Sequence, residues 1–183
     1  MDHSLEQTAA TIEDAARSIG FECVGRMAAS QLQVRPEVRD MCAANRCSSY
    51  DGNWCCPPAC GPIEKYQAEI DSRNLAVLLQ TVGQLEDSFD FETMVETAKV
   101  HGRRLGELIE SVRDAEGSPF FLGAGACTIC PQCAYPDAPC RFPDKAFVSM
   151  EAAGLVVSEV CKAAGIPYNH GPNTLAYTAC VLI

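Results

Sequence analysis

The chain has 183 residues, of which 48% are hydrophobic and 21% charged, and a net charge of −10. That length and balance suit one globular domain with an ordinary core and exclude a disordered chain. The negative charge argues against nucleic acid as a partner, because affinity there comes mainly from Lys and Arg on phosphates.

In chain order, residues 4–19 predict a helix, since Leu5, Ala9, Ile12, Ala16 and Ile19 recur at three and four and Gly20 follows as a stop. "FECVGRMAAS" predicts a first strand. Residues 40–61 predict a cysteine-rich loop, broken by "DG" and "PP". Pro62 suits the first turn of a helix that carries Ile63, Tyr66 and Ile70 on one face. "NLAVLLQTVG", ending at Gly83, is a short apolar run that predicts a buried strand. Residues 91–115 make the clearest helix, with Met94, Ala98, His101, Leu105, Leu108 and Val112 on one face and the segment 114–119 as its end. "FFLGAGAC" predicts a strand that enters a second cysteine loop, over 123–147. Ser149 can cap a helix over 150–164, with Glu151 in its first turn and Val156, Val160 and Ala163 facing inward. "NTLAYTACVLI" closes the chain as a strand. The alternation predicts an α/β or α+β fold: a single compact domain over 1–183, with about four strands, flanking helices and two cysteine-rich metal-binding loops.

The start, "MDHSLEQTAATIEDAARSIG", lacks the basic residues and apolar run of a secretory signal. No segment reaches the roughly 18 apolar residues of a membrane span. Both point to a cytoplasmic protein with no membrane partner. In that reducing setting, 12 cysteines point to metal or catalysis rather than to disulfides.

Cys127, Cys130, Cys133 and Cys140 are separated by two, two and six residues. Three thiolates at two-residue gaps can surround one compact centre, as in the bacterial ferredoxin run. Structural zinc usually takes two pairs across a longer spacer. The quartet therefore favours an iron–sulfur cluster of the [4Fe–4S] type, one or two in the protein, with zinc as the alternative. The preceding "GAGA" lets backbone N–H groups approach sulfur. The earlier segment holds Cys42, Cys47, Cys55, Cys56 and Cys60, one more than a four-ligand site needs. Cys42, Cys47, Cys56 and Cys60 leave gaps of four, eight and three, which match no simple motif. Spacing leaves Cys55 and Cys56 open, because adjacent side chains diverge and one of them points away. Cys60 and Gly61 stand at the start of the "PIEKYQAEI" helix, whose free N–H groups favour a thiolate. Cys23, Cys161 and Cys180 read as small buried hydrophobes.

Three pieces, "MCAANRCSSYDGNWCCPPACG", "CTICPQCAYPDAPCRFPDKAFVSMEAAGLVV" and "TLAYTACVLI", together resemble the predicted metal-binding proteins called domain of unknown function 2284. The resemblance implies that Cys42, Cys47, Tyr50, Trp54 and Cys56 form the first motif, with Asp51-Gly52 at its turn, and so favours Cys56 over Cys55 as a ligand. It implies that Cys127, Cys130, Cys133 and Cys140 form the second, followed by Arg141, Pro143 and "SMEAAG" at 149–154. It implies metal binding and no particular reaction.

His101 reads as a core histidine, with a cluster neighbour or proton donor as the alternative. His170 reads as a surface residue that could instead line a pocket with Tyr168 and Asn169. Arg141 is either a surface cation or a counter-charge to a thiolate-bound cluster. Tyr50 and Trp54 read as shields that keep water from the first site. "GAGA" lacks the spacing of a nucleotide fingerprint and leads into no helix. The leading expectation is an iron–sulfur protein that passes electrons to or from a redox partner protein, its acidic surface docking on a basic patch. The alternatives are a cluster-dependent enzyme with an open iron site and a structural zinc interaction module.

Overall fold

The computed structural model describes residues 3–113, 115 and 118–183. Its centre is the antiparallel pair of β2 (Leu75–Gln84) and β5 (Thr174–Leu182), in register from Ala76 opposite Leu182 to Gln84 opposite Thr174. β1 (Cys23–Ala28) pairs antiparallel with the free edge of β2. β3 (Phe120–Gly123) pairs antiparallel with β5, and β4 (Val148–Ser149) lies parallel to β3. The five strands form one mixed sheet in the order β1-β2-β5-β3-β4.

"LAVLL" is uniformly apolar because β2 is covered on both faces, and alternate residues serve different cores. Ala76 and Leu78 join Cys180, Leu182, Leu122, Tyr66 and Val160 on one side. Those last two come from α3 (Ile63–Asp71) and α5 (Val157–Ala163). Val77 and Leu79 join Ala179 and Val181 on the other side, under α1 (His3–Ile19) and α4 (Phe91–Val112). Leu78 and Leu79 are fully buried, so truncating either to Ala costs about 2–5 kcal/mol.

The helix ends follow local rules. Gly20, at φ +106°, lets its own N–H bond back to Ala16 and Arg17 and the Phe21 N–H to Ala16, which closes α1. The Asp90 side chain accepts from the Thr93 N–H at 3.0 Å and caps α4. Asp114, Glu116 and Gly117, part of the stop expected over 114–119, lie outside the described residues.

The α+β expectation agrees with the structure. The sheet holds five strands rather than about four, because β4 is two residues long and shows no sequence period. The helix expected over 150–164 is shorter and starts later. Ser149 Oγ accepts from the Ala152 N–H at 3.1 Å, but this caps only a turn. Gly154 then takes a left-handed φ of +89°, and Leu155 bridges to Val34 before α5 begins. The expected loop from residue 40 is shorter too, because α2 (Pro36–Ala43) carries the chain through Cys42. Its first helical residue is Pro36, a position where the missing N–H costs nothing. The first cysteine loop thus joins α2 to α3, and the second joins β3 to β4. Among the described residues, no helix is long and apolar enough to cross a membrane.

Candidate metal centre

Cys42 sits in the last turn of α2, half-buried, and Cys47 is exposed on the loop beyond it. Asn45, Ser48 and Asp51 take left-handed φ values of 50–56°, so this stretch coils on itself. Asn and Asp tolerate that region best. The N–H of Cys60 bonds Cys56 O at 3.1 Å, and that of Gly61 bonds Pro58 O at 3.1 Å, forming a tight turn of buried thiols. Cys42 lies within electrostatic reach of Cys47 and Cys60, and Cys56 within reach of Cys47, Cys60 and Cys42. Burial pushes the Cys42 and Cys56 thiols up, and neighbouring thiols push further. A cation that binds here must displace protons, so its affinity rises with pH.

Arg39, which the cysteine pattern did not reveal, supports this neighbourhood. Its guanidinium donates to Cys60 Sγ at 3.0 Å, to Gly61 O at 2.8 Å and to Ala152 O at 2.7 Å. Tyr66 donates its hydroxyl to Cys60 O at 2.7 Å, below Arg39, whose guanidinium carbon lies 5.8 Å from the ring centre. The signal was available in outline, because Arg39 lies three residues before Cys42, one helical turn away. Its partner Cys60 was not. Glu151, also missed, presents a buried carboxylate oxygen without a hydrogen-bond partner and adds negative charge near Cys42.

In the second loop, Cys127, Cys130, Cys133 and Cys140 are all half-buried. Arg141 donates to Gln132 O at 2.8 Å and closes the loop on itself. Cys55, buried at 6% exposure, turns away from the first neighbourhood and interacts with Cys127, with Cys140 also in electrostatic reach. The pairing of these two thiols, with a backbone bond near Ile129, outweighs burial and pushes Cys127 down and Cys55 up. The structure thus brings Cys127 and Cys140 toward Cys55, with Cys130 and Cys133 in the loop between them. Among the described residues, no three His, Cys, Asp or Glu side chains already form a finished ligand cage. The donor chemistry nonetheless fits a thiolate-bound centre, since the gathered groups are thiols and Arg39 supplies counter-charge at Cys60.

The two loops dock on each other. Trp54 Nε1 donates to Ala138 O at 3.0 Å, and the Trp54 and Tyr135 rings meet edge to face with centroids 4.9 Å apart. Tyr135 donates its hydroxyl to Asp51. Tyr50 lies beside the first turn, its N–H bonded to Asn45 Oδ1 at 3.0 Å. Cys161 and Cys180 are fully buried, and burial pushes Cys180 up to about 12. Cys23 is only half-buried. His101 is 2% exposed in the core of α4. His170 is more than a surface residue: its Nε2 lies 3.0 Å from Gln80 Oε1, tying its loop to β2. Tyr168 is 60% exposed.

A family model described as "Predicted metal-binding protein (DUF2284)" matches residues 25–183. No curated protein sequence matches the chain. A crystal structure of selenomethionine-labelled epoxyqueuosine reductase aligns with 97% of this chain at 11% identity and a TM-score of 0.44. The chain spans 46% of that protein's length.

Proposed function

Because the chain belongs to the family of predicted metal-binding proteins (DUF2284), we propose that it is an iron–sulfur protein with two [4Fe–4S] centres that exchanges electrons with a redox partner protein in the cytoplasm. Cys42, Cys47, Cys56 and Cys60 would hold one centre, and Cys127, Cys130, Cys133 and Cys140 the other. Bound there, such centres supply one-electron chemistry at potentials set by charge, hydrogen bonds and solvent access. The chain's own part is to shield and tune them: Arg39 offsets charge at Cys60, and Trp54 covers the seam between the loops.

The observation that carries this reading is the divergence of Cys55 and Cys56. These consecutive residues face different thiol neighbourhoods, although their Cα atoms are only about 3.8 Å apart. A centre held by Cys56 and another beside Cys55 would be near enough to pass an electron without a carrier. The net charge of −10 suits docking against a basic partner surface.

Anaerobic purification followed by iron, zinc and acid-labile sulfide analysis tests the proposal. Both centres present would give about eight iron and eight sulfide per chain. Cys130→Ser should then lose about half of the iron. Zinc without sulfide, or unchanged iron in that variant, would overturn it.

A further inference from the structure

One face of α4 is left uncovered. Its stripe runs Phe91, Val95, Ala98, Gly102 and Gly106, at spacings of four, three, four and four, which keep to one side of a helix. Phe91 and Val95 are 66% and 53% exposed. A Cβ at Gly102 or Gly106 would meet no atom within 4 Å. Glycine weakens a helix interior relative to alanine, and nothing within this chain needs the room that these two leave. A cavity of about 770 Å³, lined by Phe91, Val95, Ala98 and Gly102, separates this face from residues 124–129, where Ile129 is 38% exposed. Apolar side chains gathered in this way mark a contact surface rather than the usual scatter of single residues.

The stripe is complementary to itself. Let a second α4 be turned end for end about a two-fold axis between Ala98 and Lys99. Phe91 then faces Gly106 of the second copy and Val95 faces its Gly102, so the two bulky side chains enter the two places that lack one. The charges follow the same axis. Glu92 and Glu96 precede it, Lys99 and Arg103 follow it, and all four are exposed on one flank of the stripe. The reversal sets Glu92 near Arg103 of the second copy and Glu96 near its Lys99, each within one turn, and symmetry makes every pair twice. Glu96 already meets Lys99 at 3.7 Å in its own helix, whereas Glu92 and Arg103 have no ion-pair partner among the described residues.

We propose that the protein forms a two-fold symmetric dimer through antiparallel α4 helices, so that the occupant of this face is a second copy of the chain. A net charge of −10 opposes the approach of two copies in general, so the opposite charges beside the stripe select this surface. Cys127 lines the cavity that the second helix would cover, and association would keep water from the start of the second cysteine loop. The association does not rest on the iron–sulfur reading.

Sedimentation velocity on the full-length, anaerobically purified protein is the test. The parent should pass from monomer to dimer with a dissociation constant of about 1–50 μM, the range of an interface of small area. Gly102→Leu fills the space that receives Val95 and favours the helix itself. It should shift the protein to monomer with no loss of helical circular dichroism. Arg103→Glu and Glu92→Arg should each weaken association at least about tenfold, because like charges then meet twice. The double variant Glu92→Arg/Arg103→Glu restores opposite charges and should return to within about threefold of the parent. A dimer that keeps its affinity in Gly102→Leu, or whose single charge reversals the double variant does not rescue, uses another surface and overturns the proposal. A parent that stays monomeric at about 200 μM, beyond the reach of even a small specific interface, also overturns it and gives this face to a different partner.

Discussion

The indole N–H of Trp54 donates to the carbonyl oxygen of Ala138 across 3.0 Å, and this bond ties the first cysteine loop to the second. Few other contacts do so: the Trp54–Tyr135 ring pair, the Tyr135–Asp51 bond and the Cys55–Cys127 pair. Neither loop has a helix or strand of its own between its flanking elements.

Metal and loop order are therefore coupled, because thiolates repel one another until a cation arrives and the binding energy becomes folding energy. Chelation should leave the helical circular dichroism largely intact, since α1 and α4 have their own apolar faces. It should open the loops to trypsin at the exposed Arg46, Arg141 and Lys145. Trp54→Ala should open the same sites even with metal bound, though more slowly. Equal protease resistance before and after verified metal removal would show that packing alone holds the loops.

Cys55 should act on the second centre without holding its iron. Its thiol neighbours Cys127, which as a bound thiolate would accept from it, and hydrogen bonds to ligand sulfur raise a cluster's potential. Cys55→Ala should keep full iron content and lower one of two potentials by about 20–60 mV, the equivalent of one hydrogen bond in a one-electron couple. Cys56→Ala should instead lose the first centre's iron. Redox titration with iron analysis separates the two, and iron loss in Cys55→Ala would make that residue a ligand.

Arg39→Lys keeps the charge but not the planar fork that reaches Cys60, Gly61 and Ala152 together. Stranding those carbonyls should cost about 1–3 kcal/mol in urea unfolding. Iron at the first centre should fall with little change at the second. A variant that matches the parent in both would remove Arg39 from any role in the site.

Burial, with the charge of Arg104 second, holds His101 down to about 4 from its ordinary 6.5. The unfolded chain therefore takes up this proton near pH 6.5, and the folded one resists until about pH 4. In that window the unfolded state binds more protons, so stability is full above about pH 6.5 and declines as pH falls toward 4. The shift is worth roughly 3 kcal/mol. Urea midpoints at pH 7 and pH 4.5 should show a larger loss in the parent than in His101→Phe. Equal losses would mean that His101 titrates normally.

Much of this molecule was legible along the chain because the relevant forces act over one or two turns. The period of three and four in residues 4–19 and 91–112 required helices, and the unbroken "LAVLL" required a strand covered on both faces. Glycine at position 20 ended α1 because its φ lies where side chains are strained. The cysteine spacing announced metal for the same reason, since thiolates two residues apart can meet one ion. The two-residue β4 and the left-handed Gly154 that delays α5 left no such pattern, because pairing with β3 and contact with Val34 decided them. Spacing also could not part Cys55 from Cys56. Only the docking of one loop on the other gave Cys56 to its own loop's thiols and Cys55 to Cys127. Arg39 on Cys60 and the unpartnered nitrogen of His101 belong to the same class. Each depends on what arrives from elsewhere in the chain, and burial and hydrogen-bond partners exist only once the chain has closed.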